Sequence, residues 1–90
     1  MKSEDVNSPH DSIRHYLLEN IGVAELDDDV DIYESGLVNS LFAIQLMTFL
    51  EKSFEIKVTM DDLDMENFKS VNAASRFVLG KREAKRAEGV

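Results

Sequence analysis

Residues 36–54, GLVNSLFAIQLMTFLEKSF, combine a turn signal, a serine and a long amphipathic pattern. Ser40 is a favourable helix N-cap and Gly36 interrupts regular structure upstream, so we predict a helix from about Ser40 to Phe54. At about 100° per residue its apolar side chains fall on one broad face, which we expect to be the core face. This face consists of Phe42, Ala43, Leu46, Met47, Phe49, Leu50 and Phe54, with Ser53 as the one polar residue among them.

Two aliphatic residues, Leu41 and Ile44, break this pattern because they fall on the polar face of the same helix. A single exposed aliphatic side chain is common and carries no functional meaning. Here two of them lie within about one turn of Ser40 and beside an acidic segment. A small apolar spot ringed by polar groups is typical of a docking site. The polar residues of this face are Gln45, Thr48, Glu51 and Lys52.

The flanking segments also predict helices. Ser8 caps a first helix with Pro9 at its first position, and Gly22 is a typical C-terminal stop. Thr59 and Asp62 resemble a capping box, which predicts a short third helix or turn at about residues 60–68. Ser70 caps a last helix, which we expect Gly80 to end. The apolar stripes of the first and last helices are Ile13, Leu17 and Ile21, and Val71, Ala74, Phe77 and Val78.

Residues 23–39 show no sustained period, and we predict a long loop between the first and second helices. A loop of this length is uncommon in a compact domain and is often functional. We interpret its acidic residues as solvated and its apolar residues as contacts with the core. The acids are Glu25, Asp27, Asp28, Asp29, Asp31 and Glu34, and the apolar residues are Val23, Leu26, Val30, Ile32 and Leu37.

The composition favours one small all-α domain. The 90 residues have room for one modest core, and β-branched residues do not alternate as strands require. We predict a flexible N-terminal segment over residues 1–8, a four-helix domain over 9–80 and a solvated tail over 81–90. A monomer is the expected state of such an acidic bundle.

Charge and cysteine content exclude several function classes. Ten Lys plus Arg against 18 Asp plus Glu give a net charge of −8, which disfavours nucleic acid as a partner. The chain has no cysteine, so a disulfide framework, a thiolate nucleophile and a cysteine metal site are excluded. It shows neither a signal-peptide pattern nor an apolar run of about 20 residues, so we expect a cytoplasmic protein without a membrane span.

Metal binding is not predicted. Asp27-x-Asp29-x-Asp31 resembles the start of an EF-hand loop, but Ile32 and Val38 stand where that loop needs Gly and Glu. His10 and His15 are five residues apart with no evident third ligand, so we interpret them as exposed helix residues.

Ser40 has two interpretations, as a plain helix cap or as an attachment site. An anionic phosphodiester on its oxygen would lie at the positive end of a helix, near unpaired backbone N–H groups. No general base lies near Ser40 in sequence, because both histidines are on the first helix. A self-acting serine nucleophile is therefore not predicted, and any modification of Ser40 requires another enzyme.

The motif Gly36-Leu37-Val38-Asn39-Ser40-Leu41, the amphipathic helix after it, the acidic charge and the helix layout together resemble the acyl carrier protein family. The resemblance covers roughly residues 10–80. It implies an acyl-carrier-like four-helix bundle without catalytic activity, and a 4′-phosphopantetheine arm on Ser40, donated from coenzyme A by a phosphopantetheinyl transferase. Acyl groups are carried on the arm's thiol as thioesters. The partner-recognition residues implied are Asn39, Leu41, Ile44, Gln45, Thr48 and Glu51.

Asn39 departs from the family pattern, which usually has Asp before the serine. The change removes one negative charge beside the phosphate and lowers repulsion there. It also removes a possible Mg²⁺ or transferase contact, which leaves the cognate transferase open. The strings VNSLFA at 38–43 and DDLDMENF at 61–68 are similar to discrete carriers of malonyl-type extender units, such as hydroxymalonyl, methoxymalonyl or aminomalonyl.

This subtype implies acyl-loading and modifying enzymes, and polyketide synthase acyltransferase or ketosynthase domains, as partners in polyketide or hybrid polyketide–nonribosomal peptide biosynthesis. A peptidyl or D-alanyl carrier shares Ser40 and the fold, and stays an alternative. An unmodified helical module that binds a partner helix through Leu41 and Ile44 is a third possibility. The acidic surface predicts weak, salt-sensitive steering toward basic patches on partners.

Overall fold

The computed structural model describes residues 8–88, with side chains described as far as residue 84. It contains three α-helices, α1 (Pro9–Ile21), α2 (Phe42–Phe54) and α3 (Val71–Glu88), and no strand within residues 8–88. The predicted all-α class is confirmed. Residues 1–7 of the predicted N-terminal segment and residues 89–90 of the predicted tail lie outside the described part of the chain.

Helix α1 begins and ends as predicted. The Ser8 hydroxyl accepts a hydrogen bond from the Asp11 N–H (3.2 Å), and Pro9 occupies the first turn. Gly22 adopts a left-handed conformation (φ 85°) and its N–H donates to the Leu18 carbonyl (3.0 Å). Glycine reaches this conformation without a Cβ penalty, which explains why the helix stops there.

The short third helix or turn predicted near residues 60–68 consists of two 3₁₀-helices of three residues each, Met60–Asp62 and Met65–Asn67. The capping box between Thr59 and Asp62 is confirmed. Asp64 accepts a bond from the Glu66 N–H (2.9 Å) and so starts a second turn. Because aspartate side chains compete with the helix for backbone N–H groups, this segment breaks into two turns.

The prediction that Gly80 ends the last helix is wrong, because α3 runs through Gly80 to Glu88. A glycine inside a helix costs only about 1 kcal/mol relative to alanine. The residues that follow it, KREAKRAE, include mostly strong helix formers. The predicted cap is confirmed, since the Ser70 hydroxyl accepts from the Ala73 N–H (3.0 Å).

The core lies between the three helices, with α1 packed directly against α3. It also takes in four residues from outside the helices, Leu26, Ile32, Ile56 and Phe68, of which Ile32 and Phe68 are 0% and 1% exposed. Apolar burial of this kind supplies most of the stability of a small domain. The fully buried helical side chains are Ile13, Leu17, Leu46, Leu50, Val71, Ala74 and Val78.

The segment between α1 and α2 is held to the helices by hydrogen bonds as well as by apolar contacts. The Asp28 carboxylate accepts from His10 Nε2 (2.8 Å) and from the Arg14 guanidinium. The Asn72 N–H donates to the Asp28 carbonyl (3.0 Å), and Asn72 Nδ2 donates to Asp29 Oδ1 (2.6 Å). This network ties the segment to the N-terminal parts of both α1 and α3.

Two further acids fold the same segment locally. Asp31 Oδ1 accepts from the backbone N–H groups of Tyr33 (3.0 Å) and Glu34 (2.9 Å), and Asp27 Oδ1 accepts from the Asp29 N–H (2.9 Å). These side chains are therefore more than solvated acids, because each also accepts backbone hydrogen bonds that shape the segment. Aspartate is a natural acceptor for turn N–H groups, which explains its repetition here.

Candidate functional site

The chain enters α2 through a tight turn that carries Ser40. Backbone bonds of 3.0–3.1 Å join Phe42 N–H to the Asn39 carbonyl, Ala43 N–H to the Ser40 carbonyl and Ile44 N–H to the Leu41 carbonyl. These spacings are of the 3₁₀ type, and regular α-helix begins only at Phe42. The start predicted at Ser40 is therefore two residues early.

Ser40 is not the helix cap that the sequence predicts. The residue at the N-cap position is Leu41, which makes no side-chain capping bond. Instead Asn39 Oδ1 accepts from the Leu41 N–H at 3.0 Å. An asparagine accepts a backbone N–H two residues ahead readily, so Asn39 takes the role assigned to the serine.

The Ser40 side chain is consequently available. Residue 40 is exposed, and within residues 8–88 its hydroxyl makes no hydrogen bond. The N–H groups of residues 41–44 all have acceptors, so the unpaired N–H groups expected beside Ser40 are not present at these positions. A phosphate on Ser40 would be stabilised by the α2 dipole. It would not be stabilised by hydrogen bonds from these four N–H groups, because they already have acceptors.

Both histidines of the part of the chain that the structure describes are paired with acids. His10 bonds to Asp28, and His15 Nε2 lies 3.1 Å from Glu19 Oε2 on α1. His10 is thus partly sheltered and engaged, which differs from the expected free exposed residue. Among residues 8–88, no three His, Asp or Glu side chains are grouped as a metal site would require.

An apolar spot surrounds Ser40 on the outer face of α2. Leu41 is 69% and Ile44 60% exposed, which confirms their predicted place outside the core. Leu37, which was predicted to contact the core, is 38% exposed and is not part of the core cluster. Leu37 was missed because an apolar residue in a loop has no periodic pattern to show which way it faces.

The remaining predicted recognition residues divide into two groups. Asn39, Gln45 and Thr48 are exposed, as a partner surface requires. Glu51 is half-buried, and its Oε2 accepts from the Val58 N–H at 2.8 Å. Glu51 therefore holds the chain that follows α2, a role that a helical wheel does not reveal.

A groove between α1 and α2 continues from this face. It comprises a cleft of about 510 Å³ beside Ile44, which meets a second cleft of about 540 Å³ at Tyr16, Phe49 and Ser53. Tyr16 stacks on Phe49, with ring centroids 4.0 Å apart. Burial raises the pKa of Tyr16 above its usual value. Ser53, the polar residue on the predicted core face of α2, is exposed because it lines this groove.

None of the helices in the described part of the chain combines the length and the apolar character needed to cross a bilayer.

Comparison with known families matches residues 11–78 to the model of the phosphopantetheine attachment site. That match includes α1, the Ser40 turn, α2 and the apolar part of α3.

Similar curated proteins include two D-alanyl carrier proteins. The one from Lactococcus lactis subsp. lactis (strain IL1403) is 32% identical over 57 residues, which cover 63% of this chain and 72% of the relative. The one from Streptococcus uberis (strain ATCC BAA-854 / 0140J) is 32% identical over 65 residues, which cover 72% of this chain and 77% of the relative. From the family match and these relatives together, the chain belongs to the phosphopantetheine attachment site family, and it is a carrier protein with a 4′-phosphopantetheine prosthetic group.

Proposed function

We propose that Ser40 Oγ is the attachment atom and that the domain presents a thioester-bound acyl group to biosynthetic enzymes. The observation that carries this proposal is the exposed Ser40 hydroxyl, which makes no hydrogen bond to any of residues 8–88 and lies in a turn whose neighbouring N–H groups are engaged. A visiting transferase can reach such an oxygen without opening the fold. The prosthetic group supplies the thiol, since the chain has no cysteine.

The domain itself contributes positioning rather than catalysis. Asn39 and the 3₁₀ bonds of residues 39–44 fix the backbone on both sides of Ser40. With both histidines engaged elsewhere, the proton on the serine must be removed by the transferase. Leu41 and Ile44 form the contact surface that we propose for the transferase and for the loading enzymes.

The attachment is tested by intact mass after incubation with coenzyme A, Mg²⁺ and a broad-specificity phosphopantetheinyl transferase. We expect a gain of one phosphopantetheine in the wild type and none in Ser40→Ala. Ser53→Ala is the matched control, because Ser53 is also exposed and lies on the adjoining helix. A gain that persists in Ser40→Ala, or no gain with several transferases, would contradict the proposal; the second result favours an unmodified interaction module.

For the cargo we propose a malonyl-type extender unit of polyketide or hybrid polyketide–nonribosomal peptide biosynthesis. The support is the similarity of residues 38–43 and 61–68 to discrete carriers of such units. The partners are then acyl-loading and modifying enzymes and polyketide synthase acyltransferase or ketosynthase domains. A monomeric, cytoplasmic carrier is part of the same proposal.

A D-alanyl cargo is the second candidate, and the similarity to two D-alanyl carrier proteins favours it. The two cargoes differ in the enzyme that loads them. Holo protein is incubated either with an ATP-dependent D-alanine ligase for carrier proteins or with an enzyme that loads malonyl-type units, and the acylated mass is measured. If the holo protein is loaded with D-alanine and not with a malonyl-type unit, the extender-unit proposal is overturned. The proposed attachment at Ser40 is unaffected by that result.

A further inference from the structure

The first two residues after Gly80 contact two different parts of the fold. Lys81 Nζ lies 2.5 Å from Asp62 Oδ2 in the first 3₁₀-helix and 5.8 Å from the Phe77 ring centroid. Arg82 Cζ lies 5.4 Å from the centroid of the Phe54 ring, at the end of α2. The part of α3 beyond its glycine therefore contacts both the segment 59–68 and the end of α2.

Asp62 is the centre of the first contact. Its Oδ2 accepts from the Thr59 N–H (2.8 Å) and the Thr59 hydroxyl (2.9 Å), in addition to Lys81. Its carbonyl accepts from Asn67 Nδ2 (3.0 Å), which joins the second 3₁₀-helix to the first. Although burial favours the neutral acid, the bonds from Lys81 and Thr59 hold the pKa of Asp62 below its usual value.

The Asp62–Lys81 pair is more sheltered than the other lysine pair of this region. Its side chains are 19% and 24% exposed, whereas those of Glu66 and Lys69 are 73% and 37% exposed. Ion pairs that are partly removed from water are screened less and contribute more than exposed pairs. The Asp62–Lys81 ion pair, which reaches α3, is thus stronger than the Glu66–Lys69 ion pair.

Residues 59–67 contain no buried side chain, and the segment is held by Phe68 at its end and by packing of the second 3₁₀-helix against α3. Neither 3₁₀-helix contains a buried residue, and Met60 and Leu63 are 84% and 54% exposed. Phe68 at its end is the residue that enters the core. Segments with few buried apolar contacts open locally at low cost.

We propose that Lys81 and Arg82 form a clamp that holds residues 59–68 and the end of α2 together, and that the hold on residues 59–68 depends on the charge of Lys81. Gly80, directly before the clamp, is exposed, and an added Cβ would meet nothing within 4 Å. The clamp is independent of the proposed attachment at Ser40.

Amide hydrogen exchange on the full chain tests the clamp. Lys81→Met keeps the aliphatic stem near Phe77 and removes the charge, and Lys69→Met is the matched control. We expect exchange over residues 59–68, the Thr59 amide above all, to rise by about three- to tenfold in Lys81→Met. The α1 amides are expected to be unchanged, and Lys69→Met is expected to match the wild type.

Unchanged exchange in Lys81→Met, or an equal rise in Lys69→Met, would overturn the proposal. A uniform rise that includes α1 would also overturn it, since it would show global destabilisation. If the variant does not fold, wild-type exchange is measured between about 0.05 and 0.5 M NaCl, where screening acts on the ion pair. A selective rise over residues 59–68 supports the clamp, and exchange that is insensitive to salt contradicts it.

Discussion

Asn39 Oδ1 accepts a hydrogen bond from the Leu41 N–H at 3.0 Å, so one side chain bridges the residue that lies between them, Ser40. A side-chain acceptor at the start of a helix contributes about 1 kcal/mol. The bond both stabilises the beginning of α2 and fixes the backbone of Ser40. Its loss has consequences for the stability of the domain and for its modification.

Asn39→Ala is expected to lower the free energy of unfolding by about 1 kcal/mol and to slow phosphopantetheine transfer, because Leu41 loses its acceptor. Asn39→Asp keeps an acceptor in the same place and is expected to stay within about 0.5 kcal/mol of the wild type. Urea denaturation and the initial rate of mass gain measure the two effects. Equal stability of the two variants would show that the bond to Leu41 contributes nothing.

Ile44→Glu and Leu46→Glu form a pair on opposite faces of α2. Ile44 is 60% exposed, so the glutamate side chain of the variant reaches water. The free energy of unfolding is therefore expected to change by no more than about 0.5 kcal/mol. The same variant is expected to be loaded more slowly, because the apolar spot beside Ser40 is disrupted. A normal loading rate would remove Ile44 from the proposed contact surface.

Leu46 is fully buried, and a glutamate there carries an unpaired charge into the core. We expect Leu46→Glu to destabilise the domain by at least about 3 kcal/mol, enough to unfold most of it. Circular dichroism distinguishes this outcome from that of Ile44→Glu. A helical spectrum with a cooperative transition near that of the wild type would mean that the assigned orientation of α2 is wrong.

Gly80→Ala is expected to stabilise the protein by about 0.5–1 kcal/mol. Gly80 has helical neighbours on both sides, and an added methyl group would meet open space. Thermal denaturation measures the change. A loss of stability would show that the helix needs the freedom of a glycine at this position.

Tyr33 gives rise to a pH-dependent prediction. Its hydroxyl is buried without a hydrogen-bond partner among the described residues, and burial, with a smaller contribution from Asp31, raises its pKa from 10.0 to about 12. The folded protein therefore holds this proton more tightly than the unfolded chain does. Stability from this group is complete below pH 10 and is lost as the pH rises toward 12.

Tyr33→Phe removes the unpaired hydroxyl and its titration. The variant is expected to be at least as stable as the wild type at neutral pH and to lose less stability between about pH 9 and pH 11. Tyr16 is present in both proteins, so its own titration cancels in the comparison. If the stability of the two proteins falls in parallel as the pH rises, the loss of stability at high pH does not come from Tyr33.

Much of this fold follows from periodicity and capping chemistry. The buried face of α2, the caps at Ser8 and Ser70 and the stop at Gly22 all depend on local rules that a sequence displays. The helix end predicted at Gly80 is wrong because a single glycine weakens a helix without ending it when strong helix formers follow. The true end of α3 depends on residues 81–88 and on contacts with Asp62 and Phe54, which are distant in sequence.

The candidate site was predictable in part. The exposure of Leu41 and Ile44 follows from the helical wheel, whereas the division of roles between Asn39 and Ser40 does not. Both residues are good helix caps, and the geometry of the turn decides which one accepts the N–H group. Glu51 was predicted on the outer face, but it is half-buried and its bond to the Val58 N–H joins it to the chain beyond the helix.

The aspartates that fold the segment before α2 have a consequence for experiments on electrostatic docking. Charge reversal at Asp27, Asp28 or Asp31 would break internal hydrogen bonds, so slower loading in such variants would report damaged architecture as much as lost attraction. Glu25 and Glu34 are exposed, and their carboxylates make no hydrogen bond or ion pair within residues 8–88. Lysine substitutions at these two glutamates isolate the long-range attraction from the integrity of the scaffold.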